Sequence, residues 1–214
     1  FKWKPEKTVW ADYYRQTNYS TEAHEHKKMI VSEFLDLVKP ATVWDLGANT
    51  GTFSRLAGHR GIETVSFDID PAAVEKNYLE CLEQNETKIL PLLVDLSNPS
   101  SGTGWENRER MSLMERGPVE MAFALALIHH LAIYNNLSFH KIASFFSSVC
   151  TVLVIEFVPK TDSQVQRMLD AREDIFSDYT QEAFEKTFAV FFDIKNRVQI
   201  KGSKRMLYLM ERRP

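Results

Sequence analysis

The sequence is poor in cysteine and has no long apolar run. Only two cysteines, Cys81 and Cys150, occur among its 214 residues. Two thiols cannot form a disulfide framework or a four-cysteine zinc site, so the count excludes a disulfide-rich secreted domain and predicts a reducing, cytoplasmic compartment. The longest apolar run, Met121 to Ile128, is far shorter than the roughly 20 residues of a membrane-spanning helix. We therefore expect no membrane segment, and no signal peptide pattern is visible.

The sequence also has no large excess of either charge and no internal repeats. The 26 basic residues and 29 acidic residues give a net charge of −3, which excludes a strongly basic nucleic-acid coat protein but not a local basic patch. A hydrophobic share of 44% and a charged share of 26% are typical of a packed globular protein. Because the first residue is Phe1 rather than Met, we expect the chain to continue a longer parent polypeptide.

From Thr42 onward, short apolar runs alternate with helical patterns. The predicted strands are Thr42–Leu46, Thr64–Phe67, Ile89–Val94, Val119–Ala126, Thr151–Phe157, Ala189–Ile200 and Arg205–Glu211. This alternation predicts an α/β fold with a doubly wound, mostly parallel sheet. The last two strands are joined by a short turn and must be antiparallel, and Pro91 places the third strand at the sheet edge.

The N-terminal part differs from the rest in composition. Residues 1–40 form an aromatic segment followed by a helix, and residues 41–214 carry the alternating pattern. We expect the two parts to fold as one compact unit.

Three successive predicted strands each end in an aspartate. Asp45 precedes a turn with Gly47 and Gly51, and Asp95 follows the third strand. Asp68 lies about 20 residues after Gly47, the spacing at which a carboxylate reaches the ribose of a bound nucleoside. Each residue alone is compatible with a plain turn, but ligands of such sheets bind where the strands end. The coincidence therefore predicts a nucleoside site.

With these motifs the sequence resembles the class I S-adenosylmethionine-dependent methyltransferases. The motifs are VWDLGANTGTFSRLA (Val43–Ala57), VSFDIDPAAV (Val65–Val74), LLVDLSNP (Leu92–Pro99), LALIHHL (Leu125–Leu131) and LVIEFVPK (Leu153–Lys160). The resemblance implies a seven-stranded sheet of order 3-2-1-4-5-7-6. It also implies S-adenosyl-L-methionine as cofactor and S-adenosyl-L-homocysteine (SAH) as product.

The resemblance further implies which residues bind the cofactor. Asp45, Gly47 and Gly51 would surround its amino-acid end, Asp68 would hold the ribose, and Asp95 with Leu96 would hold the adenine. Asn49 stands where the family usually has a glycine. The full expected set is Asp45, Gly47, Asn49, Gly51, Asp68, Ile69, Asp95, Leu96 and Leu127, with Tyr19 of the N-terminal segment as a lid.

A narrower resemblance connects the chain to a group of bacterial methyltransferases of unassigned substrate. It rests on segments such as WADYYRQTNYS, ALALIHHLAI and VIEFVPKTDSQVQRML. In that group the matching segment is the C-terminal part of a longer polypeptide. This resemblance implies no particular acceptor.

In this fold, the ends of the fourth and fifth strands flank the transferred methyl group. There the sequence has His129, His130 and Glu156. One histidine, with a pKa near 6.5, could take a proton from the acceptor, and Glu156 could orient it. Alternatively, one histidine is a loop residue, the other packs on the adenosyl group, and catalysis is positioning alone. No metal-ligand motif is present, so no metal is expected.

The acceptor is left open among three hypotheses. The first is a small molecule methylated on oxygen or nitrogen, favoured by the aromatic N-terminal segment and the acidic net charge. The second is RNA or protein, favoured by the basic C-terminal hairpin. The third is a non-catalytic cofactor-binding domain of a longer polypeptide, which the three aspartates disfavour. The sequence predicts nothing about oligomeric state.

Overall fold

The computed structural model describes residues 21–170 and 172–214. The expected lid residue Tyr19 lies outside these residues. The strands are β1 (Thr42–Leu46), β2 (Glu63–Asp68), β3 (Ile89–Leu93), β4 (Val119–Ala124), β5 (Cys150–Phe157), β6 (Phe192–Gln199) and β7 (Met206–Arg212). The α-helices are α1 (Thr21–Val38), α2 (Thr52–Gly58), α3 (Pro71–Glu83), α4 (Phe139–Val149), α5 (Ser163–Leu169) and α6 (Gln181–Phe188). Two short 3₁₀ turns, Trp105–Asn107 and Met114–Arg116, precede β4, and a π-helical turn, His130–Tyr134, follows it.

The strands form one sheet of order β3-β2-β1-β4-β5-β7-β6. Strands β1 to β5 pair in parallel, whereas β7 runs antiparallel to both β5 and β6. The predicted fold class and strand order are confirmed. Pro91 lies opposite Ser66 in the edge strand β3, where its missing N–H leaves an outer position of the sheet unbonded rather than an inner one.

Two apolar layers cover the two faces of the sheet. On one face, α1 and α2 bury Ile30, Phe34 and Phe53 in a cluster that includes Val43 and Phe123 of the sheet. The other face carries an aromatic cluster in which Phe184 of α6 lies 5.2 Å from both Phe157 and Tyr208, measured between ring centroids. Strand β4 is central and buried on both faces, which explains its long apolar run.

Side chains cap the starts of two helices. Asp70 accepts a hydrogen bond from the Ala72 N–H at 2.9 Å, and Pro71 occupies the first turn of α3. Thr180 accepts from the Ala183 N–H at the start of α6. These side chains satisfy N–H groups that have no partner inside the helix. Asp70 is therefore a helix cap, which leaves Asp68 as the carboxylate available to a ligand.

The largest departure from prediction follows β4. The predicted strand continues to Ala126, but β4 ends at Ala124 because Ala126 adopts a left-handed conformation (φ 52°). The next residues form the unpredicted π-helical turn His130–Tyr134. A left-handed alanine costs about 1–2 kcal/mol, and such strain and π-turns concentrate at functional sites. Both features lie beside the cavity described below.

Gly51 offers a test of the loop before α2. It has φ 80°, and a Cβ added there would lie 2.3 Å from Asn77 Oδ1, which accepts from Arg55 at 3.0 Å. Gly61 has φ 78° with open space around it. We expect Gly51→Ala to lower the free energy of unfolding by about 1–3 kcal/mol more than Gly61→Ala, since both share the backbone strain and only the first is overpacked. Urea unfolding of both variants measures this, and equal losses would contradict it.

Candidate functional site

A cavity of about 290 Å³ opens where the strands β1 to β4 end. Its walls come from the loops after these strands, from α1 and from the π-helical turn. The residues that line the cavity include His24, Lys27, Asp45, Asp68, Asp95, Leu96, Leu127, His130, Tyr134 and Asn135. Ligands of open α/β sheets bind at this end of the strands. Of the expected cofactor set, Gly47, Asn49 and Ile69 also line the cavity, whereas Gly51 is buried beneath it.

The loop after β1 folds tightly against β2. The N–H groups of Gly47 and Ala48 both donate to the Phe67 carbonyl at 2.9 Å. Gly47 has φ 81° and Asn49 has φ 51°. Asparagine is one of the few residues with a side chain that visits this region readily, so Asn49 can stand where the family usually has glycine. The Asn49 N–H donates to Asp68 Oδ2 at 2.7 Å, and this bond connects the loop to the end of β2.

Asp45 lies at the floor of the cavity, 2% exposed. Its Oδ2 accepts from the Ser54 hydroxyl at 2.6 Å, and Ser54 in turn accepts from Ser66 at 2.6 Å. Burial raises the pKa of Asp45 to about 6, against the lowering effects of the Ser54 hydrogen bond and the Lys27 charge. A cationic ligand group next to Asp45 would favour its ionised form.

Asp68 and Asp95 lie on the wall formed by the ends of β2 and β3. Asp68 Oδ1 accepts from the Asp70 N–H at 2.8 Å, and burial raises the pKa of Asp68. Asp95 Oδ1 accepts from both the N–H and the hydroxyl of Ser97, at 2.8 and 2.6 Å. The backbone of each loop thus fixes the orientation of its carboxylate. The apolar side chains of Ile69, Leu96 and Leu127 complete this wall.

The two histidines occupy different environments. His130 lines the cavity, whereas His129 is fully buried, and neither of its ring nitrogens has a hydrogen-bond partner within residues 21–170 and 172–214. Their ring centroids are 4.2 Å apart. Burial, aided by the charge of Arg205, lowers the pKa of His130 to about 4, and burial also lowers the pKa of His129 well below its usual value. The expectation of a histidine pKa near 6.5 is therefore corrected downward.

Glu156 has a different partner from the one expected. At the end of β5, Glu156 Oε2 lies 2.6 Å from Lys27 Nζ of α1, and Oε1 accepts from Arg205 at 3.2 Å. Arg205 also donates to Asp162 at 2.7 and 3.0 Å. Both oxygens of Glu156 are thus engaged by buried cations. The interpretation of Glu156 as the orienting partner of a histidine is corrected, because its charge instead compensates Lys27 and Arg205.

Sequence reasoning missed Lys27 and Arg205. Lys27 follows Ala23 by four residues and precedes Ile30 by three, so it falls on the buried face of α1. A lysine at such a spacing indicates a buried cation that needs an anionic partner. Arg205 belongs to the basic C-terminal hairpin, and nothing in its local sequence distinguishes it from the other basic residues there.

Three of the six other basic residues of that hairpin are paired with acids. Lys195 lies 2.9 Å from Glu211, Arg213 lies 2.8 Å from Asp193, and Arg197 lies 3.1 Å from Glu185. A surface that binds phosphates needs cations that are not already neutralised by neighbouring carboxylates. Lys195, Arg197 and Arg213 are therefore poorly placed to bind phosphate.

Solved structures with a similar fold are methyltransferases of varied substrates. A putative O-methyltransferase from Nostoc punctiforme has a TM-score of 0.68 at 12% identity, over 97% of this chain and 61% of that one. Magnesium protoporphyrin IX methyltransferase from Synechocystis, solved with bound SAH, has a TM-score of 0.61 at 15% identity, over 89% and 84%. This chain has the class I methyltransferase fold. At these identities the likeness establishes the fold alone.

The chain is also similar to a curated protein. It is 40% identical over 206 residues to nodulation protein NoeA of Rhizobium meliloti, a name that states no reaction. The match covers 96% of this chain but only 43% of NoeA. No family model matches the sequence.

Membrane-spanning helices and metal-binding clusters were both searched for in the part of the chain that the structure describes. In residues 21–170 and 172–214 there is no helix with the length and apolar character needed to cross a bilayer. Among the same residues no group of three or more His, Cys, Asp and Glu side chains is arranged to hold a metal ion.

Proposed function

We propose that this chain transfers the methyl group of S-adenosylmethionine to an oxygen or nitrogen atom of a small molecule. One observation carries the proposal: Asp45, Asp68 and Asp95, from the ends of three adjacent strands, line one cavity. Asp45 suits the cofactor's ammonium group, Asp68 its ribose hydroxyls and Asp95 its adenine amino group.

The residues present fit the cofactor sterically as well. Gly47 has no side chain, and a Cβ there would lie 3.3 Å from Leu127 Cδ1. The missing side chain lets Leu127 pack beside Gly47 and leaves the backbone of the loop open to the cavity that both residues line. Leu96 and Leu127 provide an apolar surface for the adenosyl group. When bound, the cofactor supplies an electrophilic methyl carbon attached to a positively charged sulfur.

The chain's own residues perform the remaining tasks. Asp45 and Asp95 hold the two ends of the cofactor and Asp68 holds its ribose, which fixes the methyl group in the cavity. His130, neutral because its pKa is about 4, can accept the acceptor's proton at a ring nitrogen. His129, buried behind it, does not reach the cavity wall. We therefore assign the proton-accepting role to His130.

RNA or protein remains the alternative acceptor, and a non-catalytic cofactor-binding role the second alternative. The acid pairing of Lys195, Arg197 and Arg213 weighs against RNA, because these three cations are already neutralised. The cavity-lining position of His130 argues against a purely cofactor-binding domain. SAH binding followed by a screen for cofactor consumption with small molecules tests the proposal, and a folded protein that binds no SAH would overturn it.

The adenine assignment predicts a change in base preference. Asp95→Asn replaces one acceptor oxygen with a donor that would face the adenine amino group, so we expect SAH affinity to fall about tenfold, or about 1.4 kcal/mol. S-inosylhomocysteine, which has a carbonyl at that position, should lose nothing or gain. Titration calorimetry with both ligands measures the change. If the variant keeps the wild-type preference for SAH, the adenine partner lies elsewhere.

A further inference from the structure

The exposed apolar side chains of this fold are concentrated at one edge of the sheet. Of the fifteen large apolar side chains that are exposed in residues 21–170 and 172–214, seven lie between Ile69 and Leu93. Six of these belong to α3 and β3, are 37–57% exposed and are called the edge patch here: Tyr78, Leu79, Leu82, Leu90, Leu92 and Leu93. Apolar side chains gathered in one place on a surface, rather than scattered singly, mark an interaction site.

The α3 half of the edge patch faces the open side of the molecule. Arg55 of α2 donates to Asn77 at 3.0 Å and lies 3.3 Å from Glu80, so α2 lies on the Glu80 side of α3. At about 100° of rotation per helical residue, Tyr78 and Leu82 lie roughly opposite Glu80. Because α3 packs over β3 and β2, and β3 is the last strand of the sheet, the side away from α2 is the free edge.

The β3 half of the edge patch is exposed because no helix covers this part of the sheet. Leu90 and Leu92 lie opposite Val65 and Phe67 of β2 in the register, so the four side chains share one face. Elsewhere on that face α4 and α6 cover the sheet. The connection 94–118, which the structure describes throughout, contains only the two 3₁₀ turns. Leu93 points to the opposite face, so the edge patch wraps around the edge strand.

Three kinds of partner fit the edge patch poorly. An extended peptide would add to β3 as a further strand, but Pro91 lacks the N–H that would point outward at this edge. Nucleic acid and anionic membrane surfaces attract clustered Lys and Arg, whereas α3 carries Lys76 against Glu75, Glu80 and Glu83. The edge patch therefore fits a protein surface that contacts it through side chains.

The size of the edge patch matches what one subunit of a homodimer buries. Six large side chains that are about half exposed present on the order of 500 Å² of apolar surface. A stable interface buries about 800 Å² on each partner. In homodimers about 65% of that area is apolar, or about 500 Å², whereas interfaces with transient partners are no more apolar than ordinary protein surface.

We propose that the edge patch is the contact between two copies of this chain, related by a two-fold axis at the free edge of β3. In such a contact the same surface is buried on both copies, and an apolar surface is complementary to itself. Side chains of α3 and β3 then pack against the same two elements of the second copy. None of the six side chains lines the cavity, so the dimer is independent of the proposed function.

Sedimentation equilibrium of the 214-residue chain measures the contact. We expect a monomer–dimer equilibrium with a Kd in the micromolar range or tighter, as interfaces of this size show. Leu82→Glu on α3 and Leu90→Glu on β3 should each raise the Kd at least about tenfold, because each places a charge in an apolar contact. Leu37→Glu makes the same change at an exposed leucine of α1, outside the edge patch, and should leave the Kd unchanged.

A second measurement locates the contact in the wild-type chain. Amide hydrogen exchange should slow in α3 and β3, and not in α1, as the protein concentration is raised through the Kd. Because Leu82 and Leu90 lie on different elements, either variant decides the question if urea unfolding shows that the other is not folded. A chain that stays monomeric at millimolar concentration would overturn the proposal and leave a different protein as the occupant. A dimer that tolerates both glutamates, or that Leu37→Glu weakens equally, would also overturn it.

Discussion

Replacing Asp68 with alanine is expected to weaken SAH binding by about 10²–10⁴-fold. The change removes two hydrogen bonds from the ribose to a charged acceptor, each worth roughly 1.5–3 kcal/mol. It also removes the acceptor of the Asn49 and Asp70 N–H groups, at 2.7 and 2.8 Å, so the loop after β1 loses part of its support. Titration calorimetry on the folded variant measures the loss.

A ligand change separates the ribose contact from the support of the loop. SAH without its 2′ and 3′ hydroxyls should bind the wild-type protein far more weakly than SAH, whereas Asp68→Ala should bind both ligands about equally. Asp36→Ala removes a carboxylate of α1 that pairs with Arg60 at 2.8 Å and should leave SAH affinity unchanged. A variant that still prefers the hydroxylated ligand would show that Asp68 does not hold the ribose.

Replacing His130 with glutamine is expected to lower the rate of methyl transfer and to leave SAH affinity intact. Loss of a general base typically costs about 10²–10⁴-fold in rate. We expect a loss near the lower limit, because a base with a pKa of about 4 has little driving force for proton transfer at neutral pH. The rate is measured with whichever small molecule the screen for cofactor consumption identifies. His140→Gln, on the exposed side of α4, is the matched control.

The pH profile provides the sharper test of the same residue. The neutral ring is the active form, so kcat/KM of the acceptor should stay flat from pH 8 to about 5.5 and fall as the pH approaches 4. A falling limb centred near 6.5 would mean that His130 is an ordinary exposed histidine in the free protein. Wild-type turnover in His130→Gln would mean that catalysis is positioning alone.

The strands of the sheet could be predicted because local patterns determine them, whereas their order was implied by the resemblance to class I methyltransferases. Short apolar runs, caps such as Asp70 and the proline of β3 each identify an element without reference to distant residues. The end of β4 could not be predicted, because the run Met121–Ile128 remains apolar through the point where Ala126 turns left-handed. An apolar pattern gives no sign of a residue whose conformation is imposed by its surroundings.

The three aspartates at the strand ends were easier to predict than the partners of Glu156, for a related reason. Asp45, Asp68 and Asp95 each belong to a motif next to a strand end, so their convergence follows from the sheet topology. The partners of Glu156 come from α1 and from the turn before β7, far away in sequence. Their pairing with Glu156 depends on how these elements pack, which charge and spacing in the sequence do not specify.

The ion pair between Lys27 and Glu156 has a practical consequence for anyone who shortens or recombines this chain. A cut in the connection between α1 and β1 separates the two halves of a buried pair, and the remaining fragment would carry Glu156 with one of its two cations missing. We expect such a fragment to be insoluble or to need a second cation supplied from elsewhere. Shuffled or truncated versions should therefore keep the first helix together with the fifth strand.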